Sequence, residues 1–194
     1  MAGEHTTTAI AEGLTLPLLG LGVWQAAEGA QTSRAVGWAL FLTTKFRPGR
    51  RDPERELGAS LRRLGLEALL AVATIAPAVN QVQFSPFQFR RALLDACRRN
   101  GIVLEAYSPL THGRDLAHPT IAEIAARVGR TPAQVLLRWA IQRDIPAIPK
   151  SVHRERIIEN AQVFGFTLHD DDLGTLDALD RTGGTGRARE RPWW

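Results

Sequence analysis

Helical and extended hydrophobic patterns alternate along the chain. Residues 14–24 mix β-compatible apolar positions with Pro17 and Gly20, which predicts a short hairpin or strand ending near Trp24. Ala35, Val36, Ala39 and Leu40 share one face of a helix over 32–40, and at Leu40 the pattern switches to a compact strand over 41–45. No Gly, Pro, Asn or Asp separates the two, so the usual connection of about two to six residues is missing at Leu40–Phe41. After an Arg/Pro/Gly loop, Leu57, Leu61 and Leu64 form the stripe of a helix over 54–64 that Gly65 closes, and 66–73 reads as helix again. The alternation is then regular: a strand over 78–84, a helix over 90–99 closed by Asn100 and Gly101, a strand over 102–107, helices over 120–128 and 131–142, a strand over 145–149, and helices over 154–163 and 170–179. Thr131 and Pro132 read as an N-cap followed by proline at the first helical position. Strands spaced by helices predict parallel βαβ units, arranged as a barrel or a doubly wound sheet.

A length of 194 residues with 44% hydrophobic and 23% charged positions is a globular balance, which excludes a disordered, collagenous or coiled-coil chain. We expect one domain over 1–181 and a Gly/Arg-rich tail over 182–194. Cys97, the single cysteine, has no intrachain disulfide partner, and its place on an apolar helix face predicts a core thiol. The first residues lack the basic and apolar regions of a signal peptide. The longest nearly apolar stretch, 67–79, is interrupted by Thr74 and Pro77 and is shorter than the roughly 18 residues of a membrane span. These features predict a soluble, cytoplasmic protein without membrane contact.

The formal charge is +4, and 22 of the 24 basic residues are arginine, the exceptions being Lys45 and Lys150. The arginines are interspersed with Asp52, Glu54, Glu56, Glu155 and Glu159 and are not gathered into a stripe with stacking aromatics, which argues against nucleic acid as a partner. Lysine can exchange its proton where arginine cannot, so its scarcity draws attention to the two positions that keep it. His112 and His118 flank Asp115 without ligand spacing, and no metal is expected.

The most informative stretch is Ile148–Asn160 (IPKSVHRERIIEN), in which Lys150 and Ser151 follow a strand and a helix opens whose Arg156, Glu159 and Asn160 lie about one turn apart. One reading is an anion site at the C-terminal end of a parallel strand, where ligands of α/β proteins bind. The other is an exposed helix cap with solvated charges.

This stretch, together with Pro77–Pro86 (PAVNQVQFSP), Glu105–Leu110 (EAYSPL), Thr131–Trp139 (TPAQVLLRW) and Gly20–Trp24 (GLGVW), resembles the aldo-keto reductase family from about Leu14 to Leu179 and in the same order. The resemblance implies a (β/α)₈ TIM barrel that uses NADPH to reduce small aldehydes and ketones at its C-terminal face. It implies that Lys150, Ser151 and Arg156 hold the adenosine 2′-phosphate and that Glu159 and Asn160 meet the adenine edge. Ala133 and Val152 join this cofactor-binding set. Tyr107 would stack on the nicotinamide, Gln81 would bond its carboxamide, Ser108 and Leu110 would line the pyrophosphate path, and Trp24 would form a wall of the substrate pocket.

The family's chemistry resembles a tetrad of tyrosine, lysine, aspartate and histidine, of which only the lysine, at Lys45, has a counterpart. Segments expected to carry the aspartate and tyrosine at Leu40–Phe41, and the histidine at Leu66–Glu67, are missing. The one tyrosine, Tyr107, stands at the stacking position. The expected fold is therefore α/β, a TIM-barrel-derived architecture that is incomplete, with about five of eight strands kept and strand edges open to self-association. Three functions follow as alternatives: a reductase of impaired activity, an NADP(H)-binding protein without turnover, and a degenerate fragment with no defined ligand.

Overall fold

The computed structural model describes residues 6–11, 14–21 and 78–182. The expected helices over 32–40, 54–64 and 66–73, the strand over 41–45, both irregular junctions, Trp24, Lys45 and the tail beyond Thr182 lie outside the described residues.

Three parallel strands form the centre: β3 (Val79–Gln83), β4 (Val103–Tyr107) and β5 (Ala147–Ile148), in the order β3-β4-β5. Gln81 is in register with Glu105, Gln83 with Tyr107, and Tyr107 with Ile148, so the loops after all three strands emerge at one end. An N-terminal hairpin, β1 (Thr7–Ala11) and β2 (Leu14–Pro17), leads into Leu19, which bridges Ala147 in parallel. Ala147 donates its N–H to the Leu18 carbonyl at 3.0 Å, and Gly20 returns a bond to the Ala147 carbonyl at 2.9 Å. The start of the chain thus extends the sheet beyond β5, and the hairpin lies at the end opposite the loops. The expected hairpin or strand over 14–24 is, in its described part, the second arm of a hairpin whose first arm, Thr7–Ala11, precedes it.

The helices connect these strands: α1 (Arg91–Arg99) between β3 and β4, α2 (Pro119–Val128) and α3 (Pro132–Ile141) between β4 and β5, then α4 (Arg154–Ala161) and α5 (Asp170–Asp177). Each matches a predicted segment to within a few residues, the range in which fraying ends differ. Asn100 caps α1 and Gly101 leaves it at φ +65°, while Gly129 takes φ +64° after α2, a left-handed conformation that suits glycine.

α3 is buried on every side from Gln134 to Ile141, because the sheet covers one face and α2, α4 and the 162–168 loop cover the rest. Trp139, fully buried, stacks on Phe84 with ring centroids 5.8 Å apart and meets Phe89 edge-on at 5.3 Å. Cys97 is buried in the same core, as its helix face predicts. Burying α3 requires partners for its polar groups. Arg138 donates to Gln142 Oε1 at 3.0 Å and to the Val163 carbonyl at 3.2 Å, and Gln142 exchanges bonds with the backbone of Leu168.

Candidate functional site

Gln81 lies mid-way along β3, and Tyr107 at the end of β4 and the 149–153 loop after β5 follow towards the C-terminal ends of the strands. On β3, Gln81 Nε2 donates to the buried carboxylate of Glu105 directly across the ladder. Gln81 Oε1 is buried and accepts no hydrogen bond. A buried amide oxygen without a donor is costly, and it identifies an acceptor available to a ligand N–H.

Tyr107 closes β4 half-buried, and burial raises its phenol above the ordinary value of 10.0 while the Arg90 guanidinium pulls the other way. The ring is therefore a neutral phenol at physiological pH. Immediately beyond it the backbone turns through left-handed conformations at Ser108 (φ 48°), Thr111 (φ 52°) and His112 (φ 57°). Three such non-glycine residues in one turn are strained. The Ser108 hydroxyl and His112 Nε2 lie 3.2 Å apart, and burial followed by the neighbouring Arg114 charge lowers the His112 pKa below 6.5. Leu110 is half-buried in this turn against the core.

After β5, Lys150 is exposed and Ser151 is buried. The Ser151 hydroxyl accepts the His153 N–H at 3.1 Å, so it closes the turn that starts α4 instead of facing solvent. Val152 is half-buried, Arg156 is exposed on the first turn of α4, and Glu159 and the buried Asn160 lie on its last turn. The start of α3 meets that last turn. Thr131 Oγ1 donates to Glu159 Oε1, and Gln134 Nε2 donates to the Glu159 carbonyl at 3.0 Å. Ala133 lies between them, half-buried.

The fold thus brings Gln81, Tyr107, Ser108 and Leu110 together through β3 and β4, and groups Ala133 with the 150–160 run through α3 and α4. Lys45 and Trp24 lie outside the described residues. Four polar groups at this end have no role in the sequence motifs: Glu105 as partner of Gln81, Arg90, Thr131 as a donor to Glu159, and Gln134. Thr-Pro-Ala-Gln carries the capping-box signature, which makes the last two legible in principle. The Glu105–Gln81 pair depends on strand register and is not visible locally.

Parallel strands alternating with helices, the N-terminal segment paired beside the last described strand, and polar groups at the C-terminal ends define a TIM-barrel-type α/β protein. The chain belongs to the aldo-keto reductase family: the family model described as "Aldo/keto reductase family" matches residues 55–181. It is 45% identical over 116 residues to the glyoxal reductase of Bacillus subtilis (strain 168), covering 60% of this chain and 42% of that protein. It is 38% identical over 173 residues to the morphine 6-dehydrogenase of Pseudomonas putida, covering 81% and 52%. The solved structure of Gox0644 in its apo form superposes with a TM-score of 0.77 at 26% identity, covering 94% of this chain and 96% of that one. The chain spans about half the length of the curated relatives it matches. Among the described residues, no helix is long and apolar enough to cross a membrane.

Proposed function

We propose that this chain binds NADPH across the C-terminal ends of its parallel strands and turns over carbonyl compounds poorly. The observation that carries the reading is the orphaned Gln81 Oε1, buried beside Glu105 with its own amide nitrogen already committed. A carboxamide N–H₂ is the donor it fits. Register puts Tyr107 on the neighbouring strand, two residues beyond the position facing Gln81, and a flat, neutral phenol ring is the shape that stacks on a nicotinamide. Ser108 and Leu110 follow as the lining of the pyrophosphate path. Lys150 and Arg156, both exposed, supply two cations for the 2′-phosphate, which favours NADPH over NADH. Ser151 and Val152 shape the turn between them. Ala133, Glu159 and Asn160 serve the adenine.

When bound, the nicotinamide supplies the hydride. The remaining requirement is a proton for the carbonyl oxygen. Tyr107 is the only tyrosine of the chain, and this reading assigns it to stacking. Lys45 is then the one tetrad counterpart, with Trp24 as pocket wall, and a missing general acid lowers the rate by about 10²- to 10⁴-fold. Residues 1–181 act as one domain followed by a tail, on small carbonyl compounds in the cytoplasm. The chain self-associates through open strand edges.

The test is titration of the chain with NADPH, followed by tryptophan quenching, and then NADPH oxidation over an aldehyde panel. Saturable binding with slow or no oxidation is expected. No binding of NADPH would refute the reading, and rapid oxidation would refute its catalytic half.

A further inference from the structure

We propose that Thr131 and Gln134 are positioning residues for the adenine end of the nucleotide and make the site selective for a 6-aminopurine; this rests on the NADPH reading above. The two form a complete capping box at the start of α3: the Gln134 N–H donates to Thr131 Oγ1 at 3.3 Å, and the Thr131 N–H donates to Gln134 Oε1 at 3.1 Å. A capping box needs only those two bonds. Here Thr131 makes one further bond and Gln134 two, and they go to the last turn and the C-cap of α4.

A threonine hydroxyl has a single proton, and Thr131 gives it to Glu159 Oε1. Gln134, buried, spends its amide N–H₂ on the Glu159 carbonyl at 3.0 Å and the Gln162 carbonyl at 3.5 Å. Side chain and backbone of Glu159 are thus held from the same cap, next to the buried Asn160. The carboxylate is fixed by a charge-assisted bond on one oxygen, and its other oxygen can only accept. On the edge of adenine the complementary group is the 6-amino donor. A 6-oxopurine offers an acceptor there and is rejected.

The experiment compares NADPH with its deamino analogue, reduced nicotinamide hypoxanthine dinucleotide phosphate, by equilibrium titration of the full chain. The parent should prefer NADPH. Thr131→Asp keeps an N-cap acceptor but cannot donate to Glu159 and sets a second carboxylate against it, so NADPH affinity should fall about tenfold while that of the deamino analogue changes less than about twofold. Thr131→Ser, which keeps both bonds, should restore the preference. Thr131→Asn caps equally well and retains a donor, so it should also keep it. A merely structural cap would move both ligands together or neither. An unchanged preference in Thr131→Asp overturns the proposal, as does equal loss of both ligands in a variant that melts like the parent. If Thr131→Asp melts well below the parent, Gln134→Glu replaces it: this keeps the acceptor for the Thr131 N–H and loses the donor to the Glu159 backbone, and an unchanged preference there overturns the proposal. A parent chain that binds neither NADPH nor adenosine 2′,5′-bisphosphate refutes the NADPH reading itself, and this proposal with it.

Discussion

Replacing Asp177 tests how the buried helix α3 is tied to its neighbours. Asp177 Oδ1 accepts the indole N–H of Trp139 at 2.8 Å and an Arg143 N–H at 2.5 Å, and Oδ2 accepts Arg91 at 3.0 Å. Trp139 has no exposed surface, so removing its acceptor leaves a buried donor unpaired, at a cost of about 1–3 kcal/mol. The Arg143 side chain is 14% exposed and keeps the Leu173 carbonyl at 3.3 Å, which limits its further loss to about 1 kcal/mol. Arg91, 61% exposed, adds little. Asp177→Ala should therefore cost about 2–4 kcal/mol, a fall in Tm of about 5–12 °C for a chain of this size. Asp177→Asn retains an acceptor for the indole and should lose only about 1 kcal/mol. Thermal denaturation followed by circular dichroism reads both. An alanine variant melting within about 1 °C of the parent, or an asparagine variant as damaged as the alanine one, would show that Asp177 does not tie α3 through the Trp139 indole.

The hydrogen bond from Arg127, together with the His169 backbone N–H, holds the Asp172 carboxyl below its ordinary 3.8 against the opposing effect of burial. Because the folded value lies below the unfolded one, this stability is present above about pH 4 and is lost as pH falls toward the folded value; Asp172→Asn should flatten the acid limb of a urea-midpoint profile between pH 6 and 3, and parallel profiles would contradict this. Gly129→Ala should cost about 1 kcal/mol in a denaturant titration, since a Cβ there meets nothing within 4 Å and only the φ of +64° opposes it. Lys150→Ala with Arg156→Ala should weaken NADPH binding by about 10- to 100-fold and leave NADH within about twofold, measured by fluorescence titration; equal losses for both nucleotides would argue against a 2′-phosphate site.

Local pattern carried the reading wherever a segment's neighbours in space are also its neighbours in sequence. The Thr131-Pro132 start, the Asn100-Gly101 close and the apolar stripes of α1 to α5 all place helices within a few residues of where they stand. Contacts that close over long distances were not legible. Thr6 to Thr8 and Ile10 favour extended backbone, but the strand they form is not legible from them because its pairing depends on a hairpin whose register shifts between Ala9 and Ala11. The parallel bridge of Leu19 with Ala147, made through the Leu18 carbonyl and the Gly20 N–H, joins segments far apart in sequence, and no periodicity encodes it. At the site, quoted motifs located Gln81, Tyr107 and the 150–160 run, but spacing did not reveal that the Ser151 hydroxyl turns inward to His153 or that Glu159 is held from α3. Those depend on side-chain geometry set by the packing of α3 against α4.

The nucleotide site proposed at the C-terminal ends of the parallel strands is tested most directly by a thermal melt of the purified chain with and without saturating NADPH. A ligand that binds only the folded state adds about 2.7 kcal/mol at a hundredfold excess over Kd, so a cooperative transition should move up by several degrees with NADPH and much less with NADH. A transition that NADPH leaves in place would rule out the site.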